Sequence, residues 1–154
     1  AGRVAKKLAR AVAQAMDEQS PNPPCPGLRL NHDLIQAGAM LHDIKKRETD
    51  HAQAGKAFLE SMGYRGTAAI VGKHMDLGAF LPKSLTEDQI VYFADKVCPP
   101  WGLDLDFDTR FKKKMGQFPH AKDNILRRHE HTRHIQARIE TICQRSVRSI
   151  LGQD

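Results

Sequence analysis

The sequence predicts an all-α fold, a compact helical bundle that ends in a long C-terminal helix. Three observations predict it. Apolar residues recur every three or four positions along most of the chain. The intervals between these runs hold prolines, glycines or helix-capping residues. No two alternating segments could pair as strands, and there is no internal repeat.

The first helix is set by Val4, Leu8, Ala11, Val12 and Ala15, which share one face. Ser20 to Pro26 contains four prolines and breaks it into a loop. Asn31 is placed to cap a second helix carrying Leu34, Ile35, Gly38, Ala39, Leu41 and His42. Gly38 and its alanine neighbours predict a close helix contact. Asp50 opens a third helix, and Gln53 lies at capping-box spacing from it. Ala54, Ala57, Phe58 and Met62 form its apolar side, and Gly63 stops it.

A short fourth helix is expected over Thr67–His74, then a loop over Leu77–Ser84. Thr86 starts the fifth helix with a capping box to Gln89. Glu87 and Asp88 suit the positive end of the helix dipole, and Pro99–Pro100 follow its C-terminus. Leu103–Asp108 alternates apolar and acidic residues. As a strand it lacks a partner, so it reads as an extended lead into a short helix over Thr109–Gln117. The long last helix is expected from Pro119 or Ala121 to about Leu151.

The 154 residues suit one ordinary domain, able to bury roughly two-thirds of its extended-chain surface without disulfides. Cys25, Cys98 and Cys143 are odd in number and form no CxxC pair, which argues for reduced thiols in a cytoplasmic protein and against a cysteine zinc site. Residues Ala1–Lys7 hold no apolar segment of the secretory kind. No apolar run approaches the ~20 residues that span a bilayer, so no membrane partner is expected. The net charge of +6 favours anionic ligands, whether phosphate esters, nucleotides or nucleic acid, and by itself picks none of them.

Histidines and aspartates recur at helix ends. His42–Asp43 lie near the end of the second helix, His51 at the start of the third and His74 at the end of the fourth. Asp95 sits in the apolar run Ile90–Lys96, where a buried carboxylate needs a cation or hydrogen bonds. Imidazoles and carboxylates together bind divalent Mn, Fe, Co, Ni or Zn. Such an ion lowers the pKa of bound water toward ~7 and offsets phosphoryl charge. The plainer alternatives are a hydrogen-bonded helix terminus at His42–Asp43, a helix cap at His74, an exposed first-turn His51, and an Asp95 paired with Lys96 or an arginine.

The segment Ala37–Lys46 resembles the HD motif of the HD-domain phosphohydrolases. Asp50–Gly55 is similar to the His-x-x-x-Gly that follows it, and Val71–His74 and Tyr92–Lys96 resemble the later His and the closing Asp. The likeness covers about residues 1–111. Its spacing is closest to stand-alone bacterial HD domains and to those fused to molybdenum-cofactor-type nucleotidyltransferases, and it is similar to HD enzymes that cleave diadenosine tetraphosphate.

The resemblance implies one HD domain over 1–154, with the motif-bearing core at 1–98 and a helical extension at 99–154. It implies His42, Asp43 and Asp95 as ligands of one divalent transition metal, and His51 and His74 as ligands of a second, with Asp43 bridging. It implies catalytic roles for Asp43 and Lys46, and a phosphate contact for Lys46, joined by Arg110. The substrate it implies is a small phosphomonoester or phosphoanhydride, a nucleotide in the first instance. A homodimer is compatible with it. The family's first ligand His aligns immediately before Ala1, and Lys45 stands where many relatives carry Gly. These departures support an alternative, a catalytically weak HD-fold module that senses a nucleotide or metabolite.

Outside the motif, Arg127–His134 reads as the solvated face of the last helix, with phosphate or nucleic-acid binding as a lesser reading. His131 and His134, one turn apart, could in principle share a metal. Ile135, Ile139, Ile142, Ser146 and Ile150 give the helix its packing side. His32 is expected to face solvent. Trp101 either packs on the bundle edge or walls a substrate pocket. Asp104, Asp106 and Asp108 alternate as in a calcium loop but lack its Gly and closing Glu.

Overall fold

A computed structural model describes residues 1–18 and 30–152. The predicted loop at Ser20–Pro26, with Cys25, lies outside the described residues. The fold is all-α, with no strand among the described residues: α1 (Gly2–Glu18), α2 (His32–Leu41), α3 (His51–Ser61), α4 (Arg65–Lys73), α5 (Glu87–Lys96), α6 (Phe107–Gln117), a 3₁₀ turn (Pro119–Ala121), α7 (Lys122–Cys143) and α8 (Val147–Leu151). None of these helices is long and apolar enough to cross a membrane.

The bundle is organised around α5. Every residue from Gln89 to Ala94 is buried, as befits a helix covered on all sides. Helix α1 packs on α2, α5, α7 and α8, while α4 touches α2, α3 and α5. The main core therefore runs from Ala5, Leu8 and Val12 to Ile135, Ile139 and Leu151. A smaller cluster, Leu59, Ala68 and Val71, joins α3 to α4.

Two helix contacts depend on the absence of a side chain. A Cβ on Gly38 would lie 2.6 Å from Ile70 Cγ2, and one on Gly55 would lie 2.9 Å from Val71 Cγ1. The close contact predicted at Gly38 is thus with α4, and Gly55 brings α3 equally near.

The predicted caps differ in their outcome. Asn31 Oδ1 accepts from Leu34 N at 3.0 Å. Asp50 accepts from Gln53 N, but the Gln53 side chain donates to Gly72 O instead of completing the box. Gly63 ends α3 with φ 86°, and Tyr64 N donates to Leu59 O, the αL stop expected of it. The box predicted at Thr86 is not formed. The Thr86 hydroxyl bonds Asp88, while Gln89 turns inward and accepts from Arg138 at 3.1 Å.

Helices α4 and α6 each begin two residues earlier than expected, at Arg65 and Phe107. The last helix does not reach Leu151 unbroken. Gln144 adopts φ 50°, Ser146 caps a separate α8, and Glu140 accepts from Val147 N at 2.8 Å. Ser146 is therefore a cap and not a packing position.

Candidate metal centre

Four segments deliver the five predicted ligands to one place. His42 is the C-cap of α2, and successive i+3 backbone bonds carry the chain from Leu41 to Glu48. That turn sets Asp43 and Lys46 on one side, with Lys46 Nζ 2.6 Å from Asp43 Oδ2. His51 is the first residue of α3, beyond the Asp50 cap. His74 is the C-cap of α4, and Asp95 lies in the last turn of α5.

Asp43 is central. Its Oδ1 lies 3.5 Å from His51 Nε2 and 3.8 Å from His74 Nε2, while its Oδ2 lies 3.7 Å from His42 Nε2. His42 Nε2 is also 3.3 Å from Asp95 Oδ1. One ligand atom each from Asp43, His51 and His74 falls within 4.8 Å of the others. The structure thus brings all five predicted positions together.

The imidazoles are oriented from behind. His42 Nδ1 donates to Ala39 O at 2.9 Å and His74 Nδ1 donates to Val71 O at 2.7 Å. A carbonyl can only accept, so each Nδ1 bears the hydrogen and a neutral ring turns its Nε2 lone pair inward. His51 Nε2 and His74 Nε2 then face each other at 3.1 Å. His74 Nε2 accepts there, either from a hydrogen on His51 Nε2 or, if both rings turn lone pairs inward, with a cation between them. The mixed nitrogen and oxygen donor set fits a divalent first-row metal better than Mg or Ca, which favour all-oxygen shells.

Charge reinforces the pattern. Burial pushes the His74 imidazole down, so it is neutral and able to ligate near neutral pH. Burial opposes protonation of His42, but its hydrogen bond to Asp95 and that group's charge outweigh it and raise its pKa. Burial likewise opposes ionisation of Asp95, yet His42 and Lys96 hold its carboxyl well below the usual carboxylate range. Desolvation works against Asp43 too, and Lys46 and His42 more than offset it.

Lys96 is a member of the site that the sequence marked only as a counter-ion. Its Nζ lies 2.6 Å from Asp95 Oδ2, donates to His74 O at 3.1 Å and rests 4.7 Å over the Tyr92 ring. It ties the end of α5 to the end of α4. Arg110, expected at a phosphate, donates to Lys96 O at 2.6 Å, and its Nε lies 2.9 Å from Asp104 Oδ2.

Beside Asp95 opens a cleft of about 680 Å³, bounded by α5, the Pro99–Trp101 loop, α6 and α7. Trp101 is 74% exposed and lines it, so it does not pack on the bundle edge. Lys113 and Lys114 of α6 also line it, and the basic run Lys112–Lys114 is the sequence signal for this wall. The solvated reading of Arg127–His134 also needs correcting: His129, His131 and Thr132 are buried, and Arg127 pairs with Asp76 at 2.6 Å. His131 is buried while His134 is exposed, so they do not form a common surface site. His32 is half-buried rather than solvent-facing. Asp104, Asp106 and Asp108 are engaged by Arg110, the α6 N-terminus and His129 respectively.

A family model described as HD domain matches residues 2–99. That match reaches the family and not the finer likeness to fused or diadenosine tetraphosphate-cleaving members. No curated protein and no solved structure matches the chain.

Proposed function

The chain belongs to the HD-domain family, and on that premise we propose that it is a metal-dependent phosphohydrolase. Its substrate on this reading is a phosphomonoester or phosphoanhydride, a nucleotide in the first instance. The observation that supports it most is the placement of Asp43, with one oxygen toward His51 and His74 and the other toward His42. Two donor sets sharing a carboxylate suit one or two divalent transition metals. His42, Asp43 and Asp95 would hold the first, and His51 and His74 the second. Bound there, the metal supplies positive charge for a phosphoryl oxygen and lowers the pKa of water.

The chain's own groups do the remainder. Asp43, kept ionised by Lys46 and His42, orients the attacking water through its free lone pairs. Lys46 is 70% exposed beside Asp43 and can turn its ammonium to a phosphate oxygen. Arg110 acts from further back, fixing the Lys96 carbonyl and adding positive charge to the cleft wall. The helical segment 99–154 serves as the extension that closes this side of the site.

Elemental analysis of the purified protein, with phosphate release followed under added Mn, Fe, Co, Ni or Zn, tests the reading. About two metals per chain, with chelator-sensitive release, would support both donor sets. A ratio near one would remove His51 and His74 from the ligand set. A protein that takes up no metal and cleaves no phosphate ester overturns the proposal. Nucleotide binding without release, unaffected by chelator, would favour the regulatory module instead.

A further inference from the structure

We infer that the cleft beside Asp95 binds a nucleoside polyphosphate, held by Lys113 and Lys114 at its phosphates and by Trp101 at its ring. The inference deepens the hydrolase reading and rests on it for the word substrate. The binding itself stands on separate observations. The residues that carry it lie beyond 2–99, in a segment to which the family match assigns nothing.

Charge is the first observation. Five cations line the cleft, Lys96, Arg110, Lys113, Lys114 and Arg128, against the single carboxylate of Asp95. Three of them have carboxylate partners: Lys96 has Asp95, Arg110 has Asp104, and Arg128 has Asp76 at 3.8 Å. Asp76 is already closer to Arg127, at 2.6 Å. Among the described residues, Lys113 and Lys114 have no ion pair. Burial and then the charges of Lys96, Arg128 and Arg110 push the Lys114 ammonium below its usual pKa. Cations gathered this closely repel one another, and a multiply charged anion relieves that repulsion. A lone phosphate dianion would leave part of the wall uncompensated, and more of it once a metal had taken Asp95 from Lys96.

Shape is the second observation. The volume of about 680 Å³ suits a nucleotide-sized ligand. Two large aromatic residues, Trp101 at 74% and Phe118 at 45% exposure, stand on the cleft with their rings open to solvent. Trp101 follows Pro99–Pro100 and precedes Gly102, which has φ 122°. An exposed aromatic pair beside a cationic wall matches a flat ring attached to a chain of phosphates. The cleft also reaches Asp95, so a ligand seated there brings a phosphate to the ligand cluster.

Trp101 is the only tryptophan in the chain, so its emission reports on the cleft directly. Metal-free protein would be titrated with ATP, AMP and inorganic tripolyphosphate, with calorimetry used where Trp101 is replaced. ATP should bind at least about tenfold tighter than AMP, and tripolyphosphate should compete with it. K113A/K114A should weaken ATP and tripolyphosphate by about tenfold or more while metal uptake and thermal unfolding stay unchanged. Trp101→Ala should weaken ATP by about tenfold and leave tripolyphosphate unaffected. Equal affinities for ATP and AMP, or a double lysine variant that binds both polyphosphates as well as the parent, overturns the inference. If Mn-dependent cleavage of p-nitrophenyl phosphate persists in that case, the hydrolase reading survives alone. If nucleotides bind as expected but no phosphate ester is ever cleaved, the cleft assignment survives and the hydrolase reading falls.

Discussion

Gly55→Ala tests the link between packing and the metal centre. Gly55 is buried one turn after His51 on α3. The added Cβ would lie 2.9 Å from Val71 Cγ1, where ordinary contact begins at 3.4 Å. The helices must therefore part locally by about 0.5 Å, the difference between those two distances. Overpacking of this kind costs about 1–3 kcal/mol, and alanine's better helix propensity returns roughly 1 kcal/mol. The net loss is about 1 kcal/mol, a fall in Tm of about 3 °C for a chain this size.

The effect on the site should be larger. Val71 O is the acceptor that orients His74, and His74 Nε2 faces His51 Nε2 at 3.1 Å. A shift of about 0.5 Å exceeds the ~0.2 Å tolerance of a metal–ligand bond. Metal affinity should fall by about 10- to 100-fold, as it does when the groups behind the ligands are disturbed. Isothermal titration with Mn or Zn, beside thermal unfolding of the metal-free protein, separates the two effects. Val71→Ala in the same chain removes the clashing methyl and should restore much of the affinity despite its own cavity. A Gly55→Ala protein that melts no lower than the parent and binds metal within about threefold of it would refute the reasoning.

Gly38→Ala should lower stability by about 2 kcal/mol, because the 2.6 Å approach to Ile70 Cγ2 is tighter still, and Ile70→Ala should suppress part of the loss in a double-mutant cycle. Metal affinity should rise with pH and then level off. The raised pKa of His42 means that a proton must leave before the ring can ligate, and below that pKa affinity falls about tenfold per pH unit. Calorimetry in buffers of different ionisation enthalpy counts that proton, and a count of zero near pH ~6 contradicts the assignment of His42. Asp88→Asn should destabilise the protein by about 1 kcal/mol at neutral pH, since Asp88 is 15% exposed and accepts from Lys73 at 2.8 Å. Burial opposes ionisation of Asp88, but Lys73 and Thr86 outweigh it and depress its pKa. Its contribution is therefore present above the unfolded-state pKa and lost as pH falls through the folded one. The urea-unfolding gap between variant and parent should narrow as the pH is taken below the ordinary carboxylate range, and a gap that does not narrow there would show another origin.

The signals read correctly from the chain were local ones. Asn31 and Asp50 cap because a side-chain oxygen reaches an amide three residues on, and Gly63 stops α3 because the αL stop is unstrained for it. His42, Asp43, His51, His74 and Asp95 stood out because histidines and a buried-side aspartate recur at helix ends. The sequence offered them as candidate ligands. That they meet within a few ångströms did not follow from it.

Tertiary structure decided which partners compete for the same groups. Gln89 could close a capping box on Thr86, but α5 is buried on all sides, and there Gln89 meets Arg138 from α7. Gln53 meets Gly72 for a similar reason. The period of α7 continues through Ile150, yet Glu140 takes the amide of Val147 and the chain turns at Gln144. His129 and His131 look polar in sequence and are buried because α6 and the segment after α4 cover that face. The sequence by itself determined an all-α chain with histidines and aspartates at its helix ends, because helix period and cap chemistry act within about four residues. Only the tertiary structure decided that Asp43 lies between two sets of imidazoles and that α6 and α7 wall a cationic cleft beside Asp95. Those facts depend on which helix faces meet, through contacts between residues tens of positions apart.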